Sequence, residues 1–195
     1  MTDARPLRAD ARRNRERLLQ AAAEAFAADG LSVPLDEIAR RAGVGPGTLY
    51  RHFPAKEDLY QAVLQDRLQR LADDAQALRQ APDPGAALLD FIDRLVAEAA
   101  SKRDLADALA SRGADLHAGL AATAGQLRGE MGHLLARAQQ GRTIRGDITT
   151  ADLMALISGI LVALGRRPGD QADPGHAVAV LRDGLRATPA RQSHG

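Results

Sequence analysis

Between positions 35 and 56 the chain reads LDEIARRAGVGPGTLYRHFPAK, and its second half gathers Thr48, Tyr50, Arg51, His52 and Lys56 without an acid among them. These side chains suit contact with a nucleic-acid duplex. Arginine clasps guanine O6 and N7 bidentately in the major groove, and threonine bonds a base edge or packs on a thymine methyl. A phenol, an imidazole or an ammonium can hold backbone phosphates, which position a protein without reading sequence. The competing reading of the same residues is an ordinary polar helix surface with a phenol packed at its edge.

The elements around this run decide between the two. Residues 35–42 form an amphipathic helix, with Pro34 at its first position and Asp36 and Glu37 in its first turn, where the helix dipole favours them. Gly43-Val44-Gly45 makes a three-residue turn, Pro46 opens a second short helix to about His52, and Pro54 stops it. Two short helices joined by a glycine-containing turn are a helix-turn-helix, whose second helix enters the major groove. Each position fits that geometry. Ala39 is small where the helices cross, Gly43 supplies a left-handed residue, and Ile38, Val44 and Leu49 hold the crossing. Gly45, Pro46 and Gly47 leave the second helix without bulk where it would meet DNA. Gly47, Thr48 and Arg51 then project outward from its start, while Leu49 and Phe53 point in.

Gly30, Ile38-Ala39, Ala42-Gly43-Val44, Gly47-Thr48-Leu49-Tyr50, His52-Phe53 and Lys56-Glu57-Asp58-Leu59 together resemble the N-terminal signature of the TetR family, over residues 12–60. The resemblance implies a homodimer, a palindromic operator, repression, and release by a small ligand bound in the C-terminal domain. It assigns base contacts to Gly47, Thr48 and Arg51, and phosphate contacts to Thr48, Tyr50, His52 and Lys56. Two positions depart from the pattern. Val33 followed by Pro34 stands where many relatives cap the first helix with Thr or Ser, and Gly45 stands where a polar residue is common. Glycine still caps acceptably, so the fold is expected to survive with one phosphate contact fewer. Residues 101–109 and 146–159 resemble the C-terminal domain of one subset of the family, more loosely.

Composition agrees with an all-α chain. Its 195 residues hold two tyrosines, three phenylalanines and no tryptophan, and show no β-branched alternation. The expected architecture is an N-terminal three-helix reader over residues 10–56, preceded by a loose basic arm at 1–9. A helical ligand-binding and dimerisation domain follows over 57–188, then a loose tail at 189–195, with about nine helices in all. Helices are expected near 10–29, 35–42, 46–52, from 56 past 78, around 88–99, 104–110, around 127–138, 150–164 and 174–186. Without cysteine there is no disulfide, thiol nucleophile or thiolate metal site. No signal-peptide core or membrane-length apolar run is present, so the reading is of a cytoplasmic, soluble protein. Net charge is only +1, yet Arg5, Arg8, Arg12, Arg13, Arg15 and Arg17 crowd the start against Asp3, Asp10 and Glu16. That run is either a phosphate-seeking arm or a solvated tail.

Beyond Pro82-Asp83-Pro84-Gly85 the chain becomes aliphatic. Leu88, Phe91, Ile92 and Leu95, with Leu109, Leu116 and Leu120 and with Met131, Leu134 and Leu135, can line an apolar ligand cavity or pack as a solid core. The lack of clustered internal charge favours an aliphatic effector over a flat or ionic one. Leu153, Ile157, Ser158, Ile160 and Leu161 on one helix, and Val178, Leu181 and Leu185 on the next, are the expected dimer surface. Their alternative is to cover the chain's own core. His117, His133 and His176 lie far apart without i,i+4 spacing, so no metal and no cofactor is expected. Glu98, Asp104 and Asp107 read as a solvated face rather than a catalytic set. A helical enzyme would need convergent acid, base or metal groups, which the sequence lacks. A protein-interaction module would not need Thr48, Tyr50 and Lys56 along one edge. Activation and repression are not distinguished by these residues.

Overall fold

The computed structural model describes residues 4–101, 114–164 and 174–187. Among them lie eight α-helices: α1 (Ala4–Asp29), α2 (Leu35–Ala42), α3 (Pro46–His52), α4 (Lys56–Ala77), α5 (Pro84–Ser101), α6 (Ala114–Gln140), α7 (Thr150–Leu164) and α8 (Pro174–Leu185). Short 3-10 turns follow α1 and α4, at Gly30–Ser32 and Leu78–Gln80. The pairing of Ile144 with Arg186 is an isolated bridge. The chain is all-α as composition implies, and the helix expected at 104–110 lies outside the described residues.

Two local expectations change. The stretch at 4–9, expected as a loose arm, continues α1. Pro6 does not prevent this, because the first four N–H groups of a helix have no partner within it and the missing one costs nothing there. Pro34 is the residue before α2 rather than its first, with extended backbone and no side-chain cap. Gly30 ends α1 at φ 69°, and Gly43 ends α2 at φ 65°. At the second of these, Gly43 N–H donates to Arg40 O at 3.1 Å and Val44 N–H to Ala39 O at 3.0 Å. That pair of bonds satisfies the carbonyls a helix end leaves open and turns the chain towards α3.

The described residues fall into two compact units, one of residues 4–69 and 114–122, the other of 70–101, 123–164 and 174–187. The first has a core of Leu18, Leu19, Ala22 and Phe26 from α1, Ile38 and Ala39 from α2, and Leu49 and Phe53 at α3. The first half of α4 adds Leu59, Tyr60, Ala62 and Val63, and Tyr60 meets Phe26 edge-on with ring centroids 5.5 Å apart. The compact unit thus extends past position 56, where the reading domain was expected to end. The start of α4 completes the core formed by α1, α2 and α3.

In the second unit α5 packs against both α7 and α8, which pack on each other. Leu88, Phe91, Ile92 and Leu95 of α5 are buried, as are Met131, Leu134 and Leu135 of α6. Each of these residues, expected around a ligand cavity or in a core, contributes roughly 1.5–3 kcal/mol by leaving water. Leu120 is half-buried in the first unit. Leu109 and the side chain of Leu116 lie outside the described residues. Leu153, Ile157, Val178, Leu181 and Leu185, expected on a dimer face, are also buried within the single chain. Of that set, Ser158 is exposed and Ile160 and Leu161 are half-buried. Aliphatic residues left outside are Leu156, Val162 and Val180. The helices carry more apolar residues than one stripe needs, and the richest stripe is the one turned inward.

Polar groups fix the joints of this unit. The Arg79 guanidinium donates to both carboxylate oxygens of Glu130, at 2.6 and 2.8 Å, and Arg137 donates to the carbonyls of Arg79 and Ala81. Arg182 of α8 pairs with Asp93 of α5. Thr149 caps α7: its hydroxyl accepts Asp152 N–H at 3.2 Å while Asp152 accepts Thr149 N–H at 2.8 Å. Reciprocal capping of this kind is worth about 1 kcal/mol.

Candidate nucleic-acid interface

α3 begins on Gly45, whose extended backbone carries no side-chain cap; Thr48 N–H and Leu49 N–H both close on Gly45 O, at 2.9 and 3.3 Å. Pro46 fits the first turn because its N–H would have been unpaired. Leu49 and Phe53, one turn apart, are buried against α1, α2 and α4, which fixes the rotation of α3 and turns the intervening residues outward. Gly45 and Gly47 have nothing within 4 Å of where a Cβ would stand. Neither glycine is demanded by packing inside the chain.

The residues singled out by sequence gather on and beside this helix. Arg51 is exposed, and its Nη2 donates to Thr48 Oγ1 at 3.3 Å, so the two side chains act as one polar ledge. Tyr50 is 45% exposed. The charge of Asp36, then partial burial, then the hydrogen bond from the phenol to Asp36, raise the Tyr50 hydroxyl above its ordinary pKa. His52 is half-buried and its ring lies 6.2 Å from that of Phe53. Lys56 is half-buried at the start of α4, whose first turn is pinned by Ala55 N–H donating to Asp58 at 3.0 Å.

α2 is tied down at its outer face. Glu37 accepts from Arg40 at 2.7 Å and from Arg41 at 2.8 Å, and Arg41 reaches Asp29 at the end of α1 at 2.8 Å. Hydrogen bonds from Arg40 and then Arg41 hold the Glu37 carboxyl down at about 2. The first helix of the pair is thereby clamped to α1 while the second is left free to face a partner. One contributor stands apart from the sequence-derived set: Arg15 of α1 lies over the Phe53 ring, 5.7 Å from its centroid. Its signal was its place one turn before Leu18 and Leu19, on the inward stripe of α1.

The second unit holds a cleft of about 430 Å³ between α5 and α8, lined by Asp93, Val96, Ala97, Val178, Ala179 and Arg182 among others. None of the residues expected to line an effector cavity lines this cleft. Among the described residues no group of three acidic, histidine or cysteine side chains is placed to hold a metal. No described helix is long and apolar enough to cross a membrane.

A short helix with a bare, glycine-bordered start and outward Thr48 and Arg51, crossed by a clamped partner helix, defines a helix-turn-helix transcriptional regulator. Residues 18–63 match the family of bacterial regulatory proteins of the tetR type. Residues 83–187 match the C-terminal domain of SbtR-like transcriptional regulators. Among solved structures, the TetR transcription regulatory protein from Mycobacterium vanbaalenii is 44% identical, with 93% of this chain and 99% of that one covered at a TM-score of 0.76. The TetR regulator SCO0520 from Streptomyces coelicolor is 32% identical, with 90% and 99% covered at 0.73. The HTH-type transcriptional regulator SrpR of Pseudomonas putida is 48% identical over 65 residues, 33% of this chain and 30% of that protein. The match thus spans less than a third of that relative's length. The chain belongs to the TetR family, whose members are transcriptional regulators rather than enzymes.

Proposed function

We propose that the chain is a cytoplasmic, homodimeric repressor that occupies a palindromic operator and leaves it when a small apolar effector binds the C-terminal half. The observation that carries this reading is the ledge of Thr48 and Arg51 beside the open space over Gly45 and Gly47. Gly47, Thr48 and Arg51 read base edges there, while Thr48, Tyr50, His52 and Lys56 hold phosphates. TetR regulators are homodimers, and self-association through α7 and α8 is supported by the exposed Leu156, Val162 and Val180 with the small Ser158 and Gly159. The cleft between α5 and α8, lined by Val96, Ala97, Val178 and Ala179 together with the charged Asp93, Arg182 and Asp183, offers an apolar wall to such an effector. Release follows if the effector favours a state whose two α3 helices no longer match successive major-groove faces about 34–36 Å apart.

The test is retention of a randomised duplex library by the purified protein at two salt concentrations, followed by sequencing. An enriched palindrome, lost when Tyr50 and Arg51 are both replaced, supports operator reading by a dimer. Weak, sequence-independent, salt-sensitive retention overturns it. A thermal-shift screen that returned only polyanionic ligands would sink the apolar effector.

A further inference from the structure

We propose that the cleft between α5 and α8 binds a free aliphatic carboxylic acid of about eight carbons, its carboxylate held by the Arg182 guanidinium and its chain lying along Val178 and Ala179 towards Gly175. The inference rests on the reading that the C-terminal half takes an apolar effector, and it names that effector's chemical class and its anchor.

Helical spacing gives the cleft two unlike ends. Asp93, Val96 and Ala97 stand on one face of α5, and Gly175, Val178, Ala179, Arg182 and Asp183 stand on one face of α8. Asp93 pairs with Arg182, so the start of the α5 face meets the end of the α8 face. The charged residues of the lining therefore lie together at one end. From there to Gly175 the lining is valine, alanine and glycine. Val96 and Val178 are buried, while the small Ala97 and Ala179 are exposed and leave room over them. The distance from Arg182 back to Gly175 is about 10 Å along α8. A cleft of about 430 Å³ is large enough for a small organic ligand. One polar end and one apolar slot suit an amphiphile rather than a wholly apolar or wholly polar molecule.

The donors at the polar end select a carboxylate. Arg182 donates through Nη1 to Asp93, and among the described residues its side chain has no other acceptor. A guanidinium carries its N–H donors in a flat fork, so the Nε and Nη2 edge can hold a second carboxylate while Asp93 keeps its bond. The Arg182 side chain is 29% exposed, reachable yet screened from water over most of its surface. A charge-assisted, bidentate pair is stronger there than on an open surface. Asp183 does not occupy that edge: its carboxylate faces Arg186 at 3.8 Å, and its side chain is largely in water. An ammonium ligand would have to displace Arg182 from Asp93 before it found a partner. An alcohol would gain only a neutral hydrogen bond.

The experiment is calorimetric titration of the full chain with octanoate, octylammonium, octanol and acetate. Octanoate is expected to bind about tenfold tighter than any of the other three. Arg182→Gln should remove that advantage and leave octanoate no tighter than octanol. Ala179→Leu, which fills the slot from an exposed position, should weaken octanoate and octanol together. Arg128→Gln, at an exposed arginine of α6, is the control and should change neither. The inference is overturned if octylammonium or octanol binds as tightly as octanoate, or if none of the four binds. It is equally overturned if octanoate binding survives both Arg182→Gln and Ala179→Leu, which would place the acid elsewhere in the chain. If Arg182→Gln lost helicity, Ala179→Leu and the comparison of the four ligands would decide the matter. Retention of the selected operator separates this inference from the effector reading. Octanoate bound through Arg182 without release of operator would support the site and overturn its role as an effector site. Release by an uncharged apolar compound but not by octanoate would keep the effector reading and overturn the carboxylate.

Discussion

Glu130, buried on α6, accepts both hydrogen bonds of the Arg79 guanidinium from the turn after α4, and Arg137 two helical turns further on holds the carbonyls of Arg79 and Ala81. Removing the cation would leave a carboxylate in the core without its partner. Arg79→Ala should therefore lower the unfolding free energy by about 2–3 kcal/mol, less than for a wholly buried pair because the Arg79 side chain is 37% exposed. Urea unfolding followed by circular dichroism measures this, and an unchanged midpoint would show that water replaces the guanidinium without loss.

Arg51 and Lys56 should differ in kind. Arg51→Ala is expected to relax base preference at one operator position, at a cost of about 1–3 kcal/mol there. Lys56→Ala should weaken all sequences alike. A panel of single operator substitutions separates the two, and indistinguishable profiles would reject the division between reading and positioning.

Two glycines near α3 should respond oppositely to alanine. Gly47 has ordinary backbone and open space around it, so Gly47→Ala should keep or slightly raise thermal stability while weakening operator binding. Gly43 sits at φ 65°, where a side chain is strained, so Gly43→Ala should cost about 1 kcal/mol. Melting temperature and DNA affinity measured on both proteins give the comparison.

The Glu37 carboxyl provides a pH signature. Its folded pKa of about 2 lies below the ordinary 4.5, so the folded state binds its proton less readily than the unfolded chain. The stabilisation is therefore fully present above 4.5 and is lost as pH falls towards 2. Carbon-detected NMR titration should find Glu37 among the last carboxylates to protonate. Arg41→Gln, which leaves Arg40 in place, should move it upward.

Asp36 places a negative charge beside Tyr50 on the side proposed to face phosphates. Asp36→Asn should lower the Tyr50 pKa, seen by ultraviolet titration of tyrosinate formation, and tighten DNA binding by removing a like charge. Weaker binding would mean that the bond to Asp36 orients the ring for its contact.

The reading half was legible because its constraints are local. A left-handed glycine at 43, prolines at 34, 46 and 54, and inward Ile38, Leu49 and Phe53 each act within a few residues. The start of α1 departs from expectation for a local reason too: Pro6 breaks a helix interior but not a first turn. The outer limit of the reading unit was not legible, because Leu59, Tyr60 and Val63 look alike whether they close one core or open the next.

In the C-terminal half the sequence alone determined that the helices exist and that each has an apolar face. Hydrophobic spacing cannot say whether a face meets its own chain, a ligand or a second copy, since burial lowers free energy in the same way in all three cases. Only the tertiary structure decided that Leu88, Phe91, Met131, Leu153 and Ile157 face inward together while Leu156, Val162 and Val180 do not. It likewise decided that Arg15, remote in sequence from α3, stands over Phe53. Contacts of that kind are fixed by how helices cross, and crossing depends on the packing of whole surfaces rather than on any one segment.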